Sequence, residues 1–187
     1  MKTRGRIFVV SAPSGSGKTT ICKGVLKRLK GIAPSVSVTT RDPRHGEKSG
    51  KDYHYTSERS FKADIKKGNF LEWEKNFNYF YGTPKKYALN KIEKGIDLLL
   101  SIDVKGAMTV RKMFTDSVLI FIKTPSLREL SRRLRARKTD KEGEIANRIK
   151  AAKKELKFAP QYDYLVINNK LEDAVDEVIS IIKKERS

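Results

Sequence analysis

Residues 12–19, Ala-Pro-Ser-Gly-Ser-Gly-Lys-Thr, match the phosphate-binding pattern G-x-x-x-x-G-K-[ST] at every fixed position except the first, where Ala12 stands. Gly15 and Gly17 let the backbone take positive φ and aim successive N–H groups inward, and the helix that follows points its positive end at the same anion. Lys18 is then placed for β- and γ-phosphates and the Thr19 hydroxyl for Mg2+, with Pro13, Ser14, Ser16 and Thr20 completing the cradle. A Gly/Ser-rich turn that only caps a helix has the same composition, but the strand before it and the helix after it favour the phosphate reading.

A second group lies in residues 37–53. Arg41 and Arg44 sit three apart on a proline-bearing loop that ends at Tyr53, and two guanidinium groups with a tyrosine hydroxyl can clamp one phosphate. Taken alone, the segment also reads as a solvated basic loop. Further on, Arg133 and Arg137 are four apart on a helical pattern, hence on one face, with Glu129 one turn before them and Arg148 beyond. Arg128, Arg132 and Arg135 read as a solvated basic face. Glu72 alternates with Leu71 and Trp73, the pattern of an exposed residue on an edge strand. Asp103 closes an apolar run, the place where α/β folds put ligands, and Asn168 follows the last strand, where a turn-forming asparagine also fits. Trp73, Phe70 and Phe77 read as packing residues, Cys22 as a buried helix residue, and His45 and His54 as loop or surface residues.

The elements that must position these groups follow an α/β rhythm. A β-branched run at 7–11 predicts a buried strand, and helical spacing over 19–30 ends at Gly31. A second strand is predicted over 35–40 and a short helix over 57–67, closed by Gly68. Residues 70–75 and 77–81 alternate apolar and polar with many aromatics, which predicts a small antiparallel hairpin or meander. Helix 84–94, strand 96–103, helix 106–114 and strand 118–122 come next. They are followed by a basic helix at 126–137, a charged gap at 138–144, helix 145–158, strand 164–168 and helix 171–184. Strands of continuous apolar character predict a parallel sheet covered on both faces, here with two insertions.

A chain of 187 residues has the size of one domain and can bury a real core. Its 41 Lys and Arg against 22 Asp and Glu leave a formal charge of +19, which calls for an anionic partner: nucleic acid, a membrane surface or a phosphorylated small molecule. A single cysteine excludes an internal disulfide, and no apolar stretch approaches the ~20 residues of a membrane span. The two histidines lack metal-ligand spacing, and the apolar run behind the basic start is too short for a secretory signal. A cytoplasmic protein is the expectation.

Taken together and in order, the motifs resemble the guanylate kinase family. They are the phosphate loop at 12–19, T-T-R-x-P-R-x-G-E-x-x-G-x-D-Y at 39–53, F-L-E-W at 70–73 and Y-G-T at 81–83. I-D-x-x-G at 102–106, R-L-x-x-R at 133–137 with Asp140, I-x-x-R at 145–148 and V-I-N at 166–168 extend the match over essentially the whole chain. The resemblance implies ATP + GMP giving ADP + GDP on a P-loop nucleoside monophosphate kinase fold. That fold has a parallel sheet core with helices on both faces, a small mixed α/β GMP-binding insert and a helical lid. It implies one domain over 1–187, with core at 4–34, 88–125 and 160–187, insert at 35–87 and lid at 126–159.

By the same resemblance Arg41, Arg44, Tyr53 and Tyr81 hold the GMP phosphate, while Ser37, Glu72 and Thr83 read guanine. Asp103 lies near the reacting phosphates, and Lys18, Arg44, Arg133, Arg137 and Arg148 serve the transfer. Residues 12–20 and Asn168 hold ATP, with Mg2+ at Thr19. Two positions depart from the family pattern: Ser101 stands where an acid is usual, and Lys138 where glycine is. Expected partners are ATP and GMP, with no nucleic acid and no membrane, on a monomer or homodimer. Two other readings stay open, a catalytically inactive guanylate-kinase-like binding module and a basic nucleic-acid-binding protein, although the latter has no recognisable reading motif.

Overall fold

In the computed structural model, which describes residues 4–76, 78–136 and 142–187, the first predicted strand is β1 (Ile7–Ser11), buried at all five positions. It runs into the glycine-rich turn and α1 (Lys18–Arg28), followed by β2 (Ile32–Pro34), β3 (Val38–Thr39), β4 (His54–Tyr55) and α2 (Glu58–Lys66). Next come β5 (Phe70–Asn76), β6 (Tyr79–Pro84), α3 (Lys85–Glu93), β7 (Asp97–Ser101), α4 (Val104–Met113) and β8 (Val118–Lys123). The chain closes with α5 (Leu127–Ala136), α6 (Glu142–Leu156), a 3-10 turn (Ala159–Gln161), β9 (Tyr164–Ile167) and α7 (Leu171–Arg186).

Five strands form a parallel sheet in the order β2-β7-β1-β8-β9, with β1 at its centre. The two-residue period of β1 divides its side chains between two cores. Phe8 and Val10 pack with Ile21 and Val25 of α1 and Val175, Val178 and Ile182 of α7. Ile7 and Val9 face Ala88 and Ile92 of α3 and Ala107 and Val110 of α4. Because β1 pairs with β7 on one side and β8 on the other, a crevice opens at its carboxyl end, where the glycine-rich turn begins.

A second, four-stranded sheet has the order β4-β3-β6-β5. Its β5 and β6 pair antiparallel, while β3 and β4 are parallel, so the insertion is a mixed sheet and not only the predicted hairpin. The segment predicted as one strand over 35–40 is divided: β2 ends at Pro34 in the core sheet, Ser35 still donates its N–H to the Leu99 carbonyl, and β3 belongs to the second sheet. A third apolar cluster joins α5 and α6 through Leu127, Leu130 and Leu134 against Ile145, Ile149 and Ala152.

Two other expectations shift. The strand predicted to reach Asp103 stops at Ser101, because the Asp103 carboxylate accepts the N–H groups of Lys105 and Gly106 and starts α4 at Val104. Trp73, predicted to pack, is 42% exposed on β5, with Phe80 at 6.1 Å between ring centroids. Phe70 does pack, stacked on Phe61 at 4.4 Å, whereas Phe77 lies outside the described residues.

Candidate active site

The glycine-rich turn closes over itself through the Ser16 N–H to the Pro13 carbonyl, and α1 opens from Gly17, whose φ is 89°. No acidic residue occupies the first turn of α1, so its N-terminal N–H groups and dipole are left to an anion. Ala12 and Pro13 are buried, while Thr19 and Thr20 are exposed on the first helical turn. The Ser16 hydroxyl is buried with no hydrogen-bond partner among the described residues. The Asn168 amide, just after β9, donates to the Ser16 carbonyl at 2.8 Å and so ties the turn to that strand.

Lys18 extends across the crevice, and its ammonium donates to the Ile102 carbonyl at 2.7 Å. Burial lowers its pKa from the ordinary lysine value, against the opposing influence of Cys22, Asp103, Glu155 and Glu72. The three carboxyls come from β5, from the residue that caps α4 and from α6, so the crevice gathers one cation and several carboxyls that lie far apart in the chain.

Glu72 forms the opposite wall. The pairing of β5 with β6 shifts between Phe70 and Glu72, a bulge that leaves Leu71 as an extra residue. Alternation is broken there, and Leu71 and Glu72 both turn inward, at 4% and 6% exposure. The solvent-facing pattern of the sequence therefore does not describe this carboxyl. Glu72 accepts the Thr83 hydroxyl at 2.5 Å. Burial pushes its pKa up to about 7, with Asp103 and Glu74 adding to the rise and Thr83 and Lys18 opposing it. A Cβ on Gly106 would lie 2.5 Å from Glu72 Oε2, so the glycine lets α4 approach the carboxyl closely.

The loop between β3 and β4 carries the second predicted anion clamp. Arg41 lies with its guanidinium carbon 5.4 Å from the centre of the Tyr53 ring, and Tyr53 meets Tyr81 edge-on at 6.0 Å. Arg44 is exposed. Ser37 accepts the His54 N–H at its carbonyl, which ties β3 to β4. His45 and His54 are exposed, and Cys22 is buried.

The arm formed by α5 and α6 lies over the turn. Leu130 and Leu134 of α5 cover Gly15, and Arg148 of α6 donates to the Ser14 hydroxyl at 2.8 Å. Arg133 is bound by Glu129 at 2.7 Å and reaches the Asn168 carbonyl at 2.9 Å. Arg132 shares Glu129, and Arg135 pairs with Glu142. Arg137, Lys138 and Asp140 lie outside the described residues.

Two residues without an assigned role in the sequence reading belong to this site. Glu155 follows Arg148 by seven residues, two turns along the same face of α6, a spacing that was available as a signal. Its Oε2 is buried without a hydrogen-bond partner among the described residues, and burial lifts its pKa to about 7 against the pull of Lys18. Glu47, inside the motif at 39–53, binds Arg41 through both carboxylate oxygens.

The chain is similar to known proteins over nearly its whole length. The guanylate kinase family model matches residues 4–185. A guanylate kinase of Caldanaerobacter subterraneus subsp. tengcongensis is 44% identical over 186 residues, covering 100% of this chain and 90% of that protein. One of Thermotoga maritima is 43% identical over 184 residues, covering 98% and 89%. The crystal structure of guanylate kinase from Anaplasma phagocytophilum is similar with a TM-score of 0.84 and 34% identity, over 99% of this chain and 88% of that one.

Proposed function

The chain belongs to the guanylate kinase family and phosphorylates GMP to GDP with ATP, and from that premise we propose that both nucleotides meet between the glycine-rich turn, the β5–β6 sheet and the α5–α6 arm. The observation that carries the assignment of sides is the buried Glu72–Thr83 pair facing Lys18. Guanine presents N1–H and a 2-amino group side by side, two donors that one carboxylate accepts as a fork. Adenine has a lone pair at N1, which would leave a buried carboxylate facing another acceptor, and a site built for hydrogen bonds rejects such a mismatch strongly. Ser37 and Thr83 complete the base pocket, and Arg41, Arg44, Tyr53 and Tyr81 hold the GMP phosphate.

On the other side, residues 12–20 wrap the ATP phosphates with Lys18 at their β,γ end, and Asn168 contacts adenine. Arg133 and Arg148 reach the transferring phosphoryl from the arm, Arg137, outside the described residues, is assigned the same role by the family resemblance, and Asp103 stands at the GMP side. An oxygen of the GMP phosphate attacks the γ-phosphorus in line while the bond to the β,γ-bridging oxygen breaks. Charge spreads over the phosphoryl oxygens in the transition state, so positioning and electrostatics carry the reaction without a covalent nucleophile. The arm over the turn excludes water, which would otherwise compete as acceptor.

Guanylate kinases generally use Mg2+ with ATP, and Thr19 is the donor this chain offers for it. No three His, Cys, Asp or Glu side chains gather into a metal cage among the described residues. The Thr19 hydroxyl, exposed on the first turn of α1, would hold the ion together with phosphate oxygens of the nucleotide and water, and Ser101 adds no carboxylate charge to it. When bound, it offsets charge on the β- and γ-phosphate oxygens. Among the described residues no helix is long and apolar enough to cross a membrane. We read the enzyme as cytoplasmic, a monomer or homodimer acting on free nucleotides.

A coupled assay of ADP release with purified protein, ATP and Mg2+ tests the assignment. GMP is expected to drive turnover, with AMP, CMP and UMP hardly doing so, and Lys18→Ala should lower kcat by ~100-fold or more without unfolding. An equal response to AMP would remove the role given to Glu72. GMP binding without turnover would instead identify an inactive binding module.

A further inference from the structure

Glu47 belongs to the motif at 39–53 but contacts neither nucleotide in the assignment above. Its carboxylate is nevertheless where the loop is tied together. Arg41 Nη2 donates to both of its oxygens, at 2.9 and 2.8 Å. The Arg44 backbone N–H donates to Oε2 at 2.8 Å, and the Tyr55 hydroxyl donates to the same oxygen at 2.9 Å. Arg41 is further held by Nη1, which donates to the Asp42 carbonyl at 2.6 Å, and by the face of Tyr53. Its side chain is only 10% exposed.

We propose that Glu47 is a positioning residue for GMP: it holds Arg41 in one orientation toward the GMP phosphate, and thereby sets affinity for the phosphorylated nucleotide but not for the nucleoside. The proposal rests on the reading that Arg41 binds that phosphate. An arginine side chain has many rotamers, and ordering it on ligand binding costs affinity unless it is ordered beforehand. Glu47 does that ordering in the free protein, through one carboxylate that also places the Arg44 backbone and anchors Tyr55 at the end of β4. It stays charged while doing so. Burial alone would raise its pKa, but the Arg44 N–H, Arg41 and Tyr55 together hold it below the ordinary glutamate value.

The sign of the effect separates positioning from simple electrostatics. A carboxylate beside a phosphate dianion repels it, so a Glu47 that acted by charge alone would weaken GMP binding, and its removal would tighten it. Positioning predicts the reverse.

The test combines steady-state kinetics with calorimetric titration of GMP and of guanosine. Glu47→Gln is expected to raise KM and Kd for GMP by about tenfold, leaving KM for ATP and the affinity for guanosine within about twofold. Tyr55→Phe, which removes one bond to the same carboxylate, should raise KM for GMP by about threefold. Arg41→Met should raise KM for GMP by itself, and in that background Glu47→Gln should add less than about twofold. A Glu47→Gln enzyme with unchanged or lower KM for GMP overturns the proposal, as does an equal loss of guanosine affinity. If Arg41→Met leaves KM for GMP unchanged, the reading of Arg41 itself falls.

Discussion

Burial and the neighbouring acids lift the Glu72 pKa to about 7, so the carboxyl gains or loses its proton near neutral pH. In the proposed base pocket only the ionised carboxyl can accept both guanine donors, so protons would compete with GMP for this residue. KM for GMP is therefore expected to climb as pH falls through 7, by about tenfold at pH 6 relative to pH 8. The GMP phosphate titrates nearby, with a second pKa of ~6. Glu72→Gln supplies the baseline: it should bind GMP weakly at every pH and lack the Glu72 limb. A wild-type profile parallel to that of Glu72→Gln would show that the carboxyl does not titrate in this range. The F-L-E-W motif singled out Glu72, yet the alternation around it described an exposed residue. The β5 bulge reverses that, because an inserted residue changes which face the next side chain takes.

At the scale of elements, the order of strands and helices was legible because hydrophobic period and turn residues act over a few positions. Ser57 caps α2 by accepting the Ser60 N–H, and Gly68 and Gly95 follow α2 and α3, where the sequence placed their ends. Asp103 closes an apolar run in the sequence and in the structure caps α4, a role with its own local signature. What the pattern did not contain is how the arm meets the phosphate turn. Gly15 has φ of 94°, and a Cβ there would come within 2.8 Å of Leu134 Cδ2 and 3.1 Å of Leu130 Cδ1. Gly15→Ala is thus expected to strain the turn by about 1 kcal/mol and to push α5 outward. KM for ATP should rise about fivefold or more, measured at saturating GMP. Leu134→Ala vacates the space the new methyl needs, so adding it should restore part of the ATP affinity; additive losses would show that the arm and the turn are not in contact during the reaction.

Over the whole molecule, the charge of +19 is explained in sign but not in size. Lys18, Arg41, Arg44, Arg133, Arg137 and Arg148 are six of 41 basic residues. Others are taken up by pairs that tie distant segments together: Arg186 donates to the buried Asp97, which also accepts the Arg6 N–H, and Lys23 pairs with Asp52 across from α1 to the β3–β4 loop. The remaining excess should act at long range. kcat/KM for GMP is expected to fall several-fold between about 20 and 200 mM monovalent salt while kcat holds, as screening shortens the reach of the surface charge. An unchanged kcat/KM would leave the surplus without a part in substrate capture. By itself the sequence determined the glycine-rich turn, most of the succession of elements and the family resemblance, since each is written in residue types a few positions apart. Only the tertiary structure decided that Glu72 is buried with a pKa of about 7, that Glu47 grips Arg41, and that α5 covers Gly15. The physical reason is the same in all three: desolvation, hydrogen-bond geometry and close contact depend on which residues meet across elements, and no local period in the chain encodes those meetings.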